Sequence, residues 1–360
     1  MTKHILVLNA GSSSLKFAAF DAGSLHELFR GQISGIGTAP KLVAAGEVVE
    51  LPFDTGFAEG LALLLDWLDG KGLNPSALAA FGHRIVHGGT RFVLPLKVDE
   101  VTLSELEKLR SLAPLHLPFG LSVLRTTRRL RPHLPHIACF DTAFHATQPE
   151  LMTRLPLPRA YFDKGYRRYG FHGLNYENVV DVLAKSVLPK RVIAAHLGSG
   201  ASMCAILDGK SVGTTMGFST ADGLVMGTRT GSIDPGVLVA LLRDERLSLD
   251  QLEDLLYRKS GLLGLSGISP DMRVLLQSDR AEAREAVDYY CYSAARHAAS
   301  LVPAMNGVDA VVFTGGVGEN AAAVRDKIMG HLAWLNVSEV HVIPANEERT
   351  IARNVKSLLQ

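Results

Sequence analysis

Cysteine is scarce. Cys139, Cys204 and Cys291 are the only three in 360 residues, and they lie far apart. An odd, dispersed set excludes a disulfide framework and metal-like Cys spacing, and it suits a reducing compartment. No apolar run reaches the roughly 20 residues needed to span a bilayer. Met1 to Phe20 is broken by Asn9, Gly11, three serines and Lys16. That is unlike the unbroken apolar stretch of a secretory leader, so a cytoplasmic location is expected. Charge of one sign is also lacking. Lys and Arg total 37 against 36 Asp and Glu, a net charge of +1. Neither nucleic acid nor a membrane is therefore expected as a partner, and an anionic ligand must be held by local charges and backbone amides. The GxxxxGK[ST] phosphate loop is absent, as is any low-complexity linker.

What remains is a globular composition, 47% apolar and 20% charged, in a chain long enough for two compact domains. Ile5 to Asp21 and Val192 to Asp208 look alike: an apolar strand, a Gly/Ser turn, a second apolar strand, then Asp. One such hairpin would be commonplace. Two, each opening one half of the chain, suggest a duplicated fold with a ligand between the halves. Helices are expected over Phe57–Leu68 (capped by Asp54), Val101–Leu112, Gly120–Leu130, Asn175–Val187 (Val179, Val182 and Leu183 inward), Asp279–Val302 and Asn320–Leu332. Strands are expected over Val308–Thr314 and Glu339–Ile343. The class is α/β, with the boundary near Pro149 to Pro158, giving domains 1–150 and 151–360.

Several short segments could carry chemistry. Asn9 to Lys16 (NAGSSSLK) runs a strand into a hydroxyl-rich turn with a lysine beyond. It reads equally as a phosphate-side turn or an ordinary hairpin turn. Arg84 stands between His83 and His87 before paired glycines, and Arg229 lies in a second glycine-bracketed stretch. Two such guanidinium groups could bracket a moving phosphoryl group. Asp141 ends an apolar strand, where α/β sheets meet ligands, although a turn-capping Asp reads nearly as well. His116 between prolines and His172 between glycines are further candidates. Thr314 to Asn320 (TGGVGEN) ends a strand and opens a helix, permitting close approach of a nucleotide. Asn346-Glu347-Glu348 opens the last helix, where acids complement the dipole or reach Mg²⁺ through water.

Taken in order, NAGSSSLKF, GHRIVHGG, FDTAFH, YGFHG, HLGSGAS, MGTRTGSIDPG, LLGLSGISPDMR and FTGGVGEN resemble the motifs of the acetate kinase family, part of the actin, sugar kinase and Hsp70 ATPase superfamily. The resemblance runs from residue 5 to about residue 353. It implies a duplicated ribonuclease H-like fold with two domains around a central cleft, the second binding nucleotide and forming a homodimer. It implies that Asn9, Ser12, Ser14 and Lys16 form the phosphate-side turn, and that Asn9 and Glu347 hold Mg²⁺, which Mn²⁺ can replace. Arg84 and Arg229 would stabilise the phosphoryl group and the substrate carboxylate. Asp141 would act beside substrate and metal. His172 would hydrogen-bond the transition state with His116 in support. His196, Gly198, Ser199 and Gly200 would contact phosphates. Asp271, Met272, Arg273, Gly316, Val317, Gly318 and Asn320 would surround the adenosine of ATP. Val86, Leu115 and Phe171 would hold the acyl methyl.

The implied activity is that of a phosphotransferase with a carboxyl acceptor, ATP and acetate giving ADP and acetyl phosphate. Propionate or another short carboxylate is the near alternative. A nucleotide-gated binding protein of the Hsp70 type is the distant one. The sequence departs from the family at Leu117-Pro118-Phe119-Gly120, at Ser199 in place of Asn, and at Thr220 where a proline normally borders the acyl pocket. The chain is also shorter between the first hairpin and Asp54.

Overall fold

The computed structural model describes residues 3–11, 13–53 and 55–360. The chain divides into two compact units, one of residues 1–143 with 346–360 and one of residues 144–345. Among the described residues, no helix is long and apolar enough to cross a membrane.

In the first unit, strands β1 (His4–Ala10), β2 (Ser14–Asp21), β3 (Glu27–Ser34), β4 (Lys41–Ala44), β5 (Glu47–Glu50), β6 (Leu78–Ile85), β7 (Leu96–Lys97) and β8 (His136–Phe140) form one sheet in the order β5-β4-β3-β2-β1-β6-β8-β7. In the second, β9 (Arg191–Leu197), β10 (Ala201–Leu207), β11 (Lys210–Thr214), β12 (Ala310–Thr314) and β13 (Glu339–Val342) take the order β11-β10-β9-β12-β13. The central run β3-β2-β1-β6-β8 pairs antiparallel, antiparallel, parallel, parallel. The second sheet repeats that sequence of pairings. The two similar hairpins are thus the β1–β2 and β9–β10 pairs, each opening the same five-stranded pattern.

Helices cover these sheets for the reason their periodicity suggests. Leu61, Leu64, Leu65 and Leu68 of the Phe57–Gly70 helix are buried against Leu6, Leu8, Leu15 and Phe17. Each such side chain contributes about 1.5–3 kcal/mol by leaving water. In the second unit, Tyr176, Val179 and Leu183 pack on Val192, Ala194, Cys204 and Ile206. Val287, Tyr290, Ala294, Ala298 and Leu301 form the buried stripe of the Ala281–Leu301 helix.

The structure differs from the sequence reading at several ends. Gly56, with no side-chain cap bond, precedes the first helix, and Asp54 lies outside the described residues. Arg280 rather than Asp279 takes the cap position of the long helix. Val182 is 37% exposed because it flanks the Tyr176/Val179/Leu183 stripe. The helix expected over Asn320–Leu332 runs from Ala322 to His331, and a separate short helix, Gly315–Asn320, precedes it across Ala321.

The largest difference concerns the C-terminus. The Glu347–Leu359 helix belongs to the first unit, so the second domain is not simply residues 151–360. Ile351, Ala352 and Val355 are fully buried there. A Cβ on Gly82 of β6 would stand 2.5 Å from Ile351 Cγ2 and 2.9 Å from Val355 Cγ2. Only glycine lets the helix approach β6 so closely.

Candidate active site

In the first unit, β1, β6 and β8 run parallel, so their C-terminal ends share one edge of the sheet. That edge is where open α/β sheets place ligands. It carries Asn9, Arg84 and Asp141, joined by the first turn of the Glu347–Leu359 helix. Arg84 Nη2 donates to Asp141 Oδ2. Arg84 Nη1 donates to Asn9 Oδ1 at 3.3 Å, and Nε lies 3.4 Å from Glu347 Oε2. Asn9 Nδ2 donates to Glu347 Oε2 at 3.2 Å and to Glu348 Oε1 at 3.0 Å.

One guanidinium is therefore shared by a cluster containing three carboxylates. Burial pushes the Asp141 carboxyl up, to about 6, against the pull of Arg84. Burial acts to lower Arg84, but Asp141 and Glu347 outweigh it and the net shift is upward. A carboxyl near 6 beside a cation that stays charged is ionised at neutral pH.

This geometry fits a divalent cation. The carboxylates outnumber the guanidinium, and the buried Asp141 Oδ1 has no hydrogen-bond partner. All are hard oxygen donors, the type Mg²⁺ prefers. Among the described residues, no three His, Cys, Asp or Glu side chains are grouped as ligands of one metal. Mg²⁺ normally takes only one or two protein carboxylates and keeps its water. The Asn9 amide nitrogen donates to Glu347 and Glu348, and its oxygen accepts from Arg84.

Lys16 pairs with Asn9 across β1 and β2, which puts both on one face. Ser14 opens β2, and its carbonyl accepts from Gly11 N–H at 2.8 Å. Ser12 lies outside the described residues. Val86 is buried directly after β6. Leu115 and His116 are half-buried before the Leu117–Leu130 helix, with His116 at its cap position and Pro118 in its first turn. The departure at residues 117–120 thus forms an ordinary helix start. The histidines around Arg84 serve the fold: His83 Nε2 meets His136 Nδ1 at 3.1 Å, and His87 Nδ1 accepts from Gly89 N–H at 2.8 Å.

In the second unit, the corresponding edge carries two histidines and an arginine. The His172 and His196 rings stack with centroids 4.2 Å apart and planes inclined by 24°. His172 Nδ1 lies 2.9 Å from Ser202 Oγ, and His196 Nδ1 lies 2.9 Å from Asn175 Nδ2. A Cβ at Gly200 would sit 3.4 Å from His172 Nε2 and 3.7 Å from Arg229 Nη1. Arg229 is aimed by a bond from Nη1 to the Thr220 carbonyl at 3.0 Å. That contact is to backbone, so threonine in place of proline does not remove it. Phe171 is buried, and its carbonyl accepts from His145 Nε2 at 2.9 Å.

The Gly198-Ser199-Gly200 turn leads from these donors into a cavity of about 860 Å³. That is ample for a nucleotide. Gly198, Ser199, Asp271, Met272, Arg273, Gly316, Val317 and Asn320 all line it. Asp271 caps the Met272–Leu276 helix by accepting from Arg273 N–H, and the Arg273 side chain beside it holds its carboxyl below the usual range. Gly318 does not line the cavity. It turns inward, where a Cβ would meet Phe313. Gly315 must be glycine: its φ is +79°, and a Cβ would stand 2.7 Å from the Leu197 carbonyl oxygen.

The acetokinase family profile matches residues 4–354, nearly the whole chain. The chain belongs to the acetokinase family. A curated acetate kinase of Rhodopseudomonas palustris is 45% identical over 94% of this chain and 88% of its own. The crystal structure of a propionate kinase from Francisella tularensis superposes with a TM-score of 0.93 at 34% identity, covering 98% of both chains. That of Porphyromonas gingivalis acetate kinase gives 0.89 at 32% identity, covering 99% of this chain and all of the other. The acetokinase fold is the duplicated actin/sugar-kinase type, which the two matching sheets display.

Sequence reasoning assigned no site role to Ser202, Tyr176 and Asn175, or to the cavity residues Gly227, Thr228, Leu262 and Tyr290. Tyr176 could have been found, since it lies one helical turn after His172. Gly227, Thr228 and Leu262 lie within two of the quoted motifs, whereas Tyr290 reads only as part of a buried helix stripe.

Proposed function

We propose that this chain is a phosphotransferase that moves the γ-phosphoryl group of ATP onto acetate, reversibly, giving ADP and acetyl phosphate. The observation that carries the reading is the Gly198–Gly200 turn. It lines the nucleotide-sized cavity at one end and meets His172 and Arg229 at the other. A nucleotide seated in that cavity would present its terminal phosphate to two fixed donors.

In this mechanism an acetate oxygen attacks the γ-phosphorus in line, and the bond to the β–γ bridging oxygen breaks. Acetate is already ionised at neutral pH, so no protein nucleophile or base is required. The protein supplies position and charge. Arg229 and His172 donate to the phosphoryl oxygens. Arg84, fixed by Asp141 and Glu347, offsets the repulsion between the two anions. Asp141 and Glu347 would hold Mg²⁺, oriented by Asn9, and the ion would neutralise phosphate charge when bound. Val86, Leu115 and Phe171 are the residues that the family resemblance assigns to the acyl methyl.

Propionate is the second reading, favoured by the likeness to the Francisella propionate kinase. One methylene in an apolar pocket is worth only about 1–3 kcal/mol. Trapping acyl phosphate with hydroxylamine, using acetate, propionate and butyrate, tests both. Acyl hydroxamate is expected, with the highest kcat/KM for acetate. A highest value for propionate moves the assignment there, and ATP hydrolysis independent of any carboxylate overturns the reading.

The reading includes a homodimer formed through the second unit. The Pro235–Arg243 helix has no buried residue, and Val237 and Val239 are 43% and 55% exposed. An apolar helix left bare fits a face that a second copy covers. Light scattering is expected to give twice the 38.8 kDa of one chain.

A further inference from the structure

His172 has an unusual backbone for a non-glycine residue, with φ of 60° at the start of the Gly173–Leu183 helix. Its Nδ1 faces Ser202 Oγ at 2.9 Å, while Nε2 lies on the side of Gly200. Ser202 in turn lies 2.5 Å from Tyr176 Oη. Both Ser202 and Tyr176 are fully buried. No bulk water is available to take or give a proton there, so the protons must be shared among these groups.

The direction of sharing follows from the inventory of donors and acceptors. Tyr176 Oη accepts the backbone N–H of His196, and burial holds the phenol protonated. Its own proton needs an acceptor, and Ser202 Oγ stands in place. The serine, accepting from the phenol, then gives its hydrogen to the remaining neighbour, His172 Nδ1. The opposite order would have His172 donate to Ser202 and Ser202 donate to Tyr176. That leaves a phenolic O–H buried with no acceptor, which disfavours it.

We propose that Tyr176 and Ser202 are positioning residues that fix His172 in the tautomer carrying its proton on Nε2, so that the ring acts as a hydrogen-bond donor and not as a base. The proposal rests on the phosphoryl-transfer reading for its purpose, and on the buried hydrogen-bond chain for its substance. A donor aimed at the Gly198–Gly200 turn matches what a phosphoryl group in flight requires: a proton held out to an oxygen, with none removed. A ring with a bare Nε2 would turn a lone pair toward the phosphate and repel it. The relay therefore sets the sign of the interaction.

Two-bond ¹H–¹⁵N correlation spectra of the histidine-labelled full-length protein test this, the His172 signal being assigned by its loss in His172→Gln. The wild type is expected to show a protonated Nε2 and a bare Nδ1 at neutral pH. Ser202→Ala is expected to let the ring exchange between tautomers and to lower kcat about tenfold, the scale of one hydrogen bond, with KM for ATP nearly unchanged. Tyr176→Phe removes only the outer link and is expected to have a smaller effect in the same direction. A protonated Nδ1 in the wild type, or an unaltered tautomer and kcat in Ser202→Ala, overturns the proposal. If Ser202→Ala fails to fold, the wild-type spectrum still decides. That spectrum needs no substrate, so failure of the acetate assay and failure of the relay are separate results.

Discussion

The two sheets share a strand order but not a chemistry. Register places Arg84 one residue beyond the Leu8–His83 pair, and Thr314 one beyond the Ala195–Phe313 pair. On that alignment Asn9, Arg84 and Asp141 of the first unit correspond to His196, Thr314 and Ala345 of the second. The first edge is charged, with three carboxylates and a guanidinium tied together. The second offers two histidines, Arg229, a glycine turn and a cavity. Equivalent positions at the ends of parallel strands are thus a neutral frame. Their side chains decide whether the frame handles cation and acid or nucleotide.

The strongest way to break this contrast is to erase the charge on one side. Arg84→Thr, which installs the second unit's residue, is expected to lower kcat about a hundredfold or more, as is Arg229→Ala. Turnover near the wild-type level in either variant removes that guanidinium from the mechanism.

Acid sharpens the comparison through stability. Burial holds His87, His136 and His145 down to about 4 and His83 well below the usual value. His297 is lowered less. A histidine whose pKa falls on folding binds fewer protons in the native state, so stability is complete above about pH 6.5 and declines as pH falls toward 4. The loss for the fully buried His145 alone is on the order of 3 kcal/mol. His83, His87 and His136 belong to the first unit, against His145 and His297 in the second. Hydrogen exchange between pH 7 and 5 should therefore show protection falling earlier in the first unit. Equal loss in both would mean that the buried histidines do not set acid sensitivity.

A smaller effect separates the strand ends. Gly315 follows Thr314 in a left-handed conformation, whereas its counterpart Ile85 is an ordinary strand residue. Gly315→Ala is expected to destabilise by about 2 kcal/mol, lowering the melting temperature by roughly 4–8 °C. An unchanged melting curve would show that the Leu197 carbonyl can yield. The smallest effect belongs to the cavity rim. The Arg273 side chain is 83% exposed, and exposed ion pairs add little stability. Arg273→Ala should leave the melting temperature unchanged and raise KM for ATP by less than about tenfold. A large fall in kcat would place Arg273 at the phosphates rather than beside the adenosine.

Local patterns carried far in this chain because each is enforced by its own neighbours. The Leu61/64/65/68 stripe, the Asn346 cap and the strand ending in Asp141 depend on spacing that a short window contains. Val182 and Asp279 were misread for the complementary reason. A side chain on the flank of a stripe, or a residue one place from a helix start, is decided by packing that periodicity does not contain. Gly318 was grouped with the nucleotide site because it sits in a glycine-rich turn; only the direction of its Cα toward Phe313 shows that it serves helix-to-strand packing.

The amino-acid sequence alone determined the α/β class, the duplicated hairpin and the residue types a phosphoryl-handling site needs, since these follow from hydrophobic period and side-chain chemistry. The tertiary structure alone decided that the last helix returns to the first unit and brings Glu347 and Glu348 to Arg84. It alone decided that Ser202 and Tyr176 stand behind His172. Residues 84 and 347 are separated by most of the chain, and nothing in their local sequence records the Gly82 gap that lets them meet.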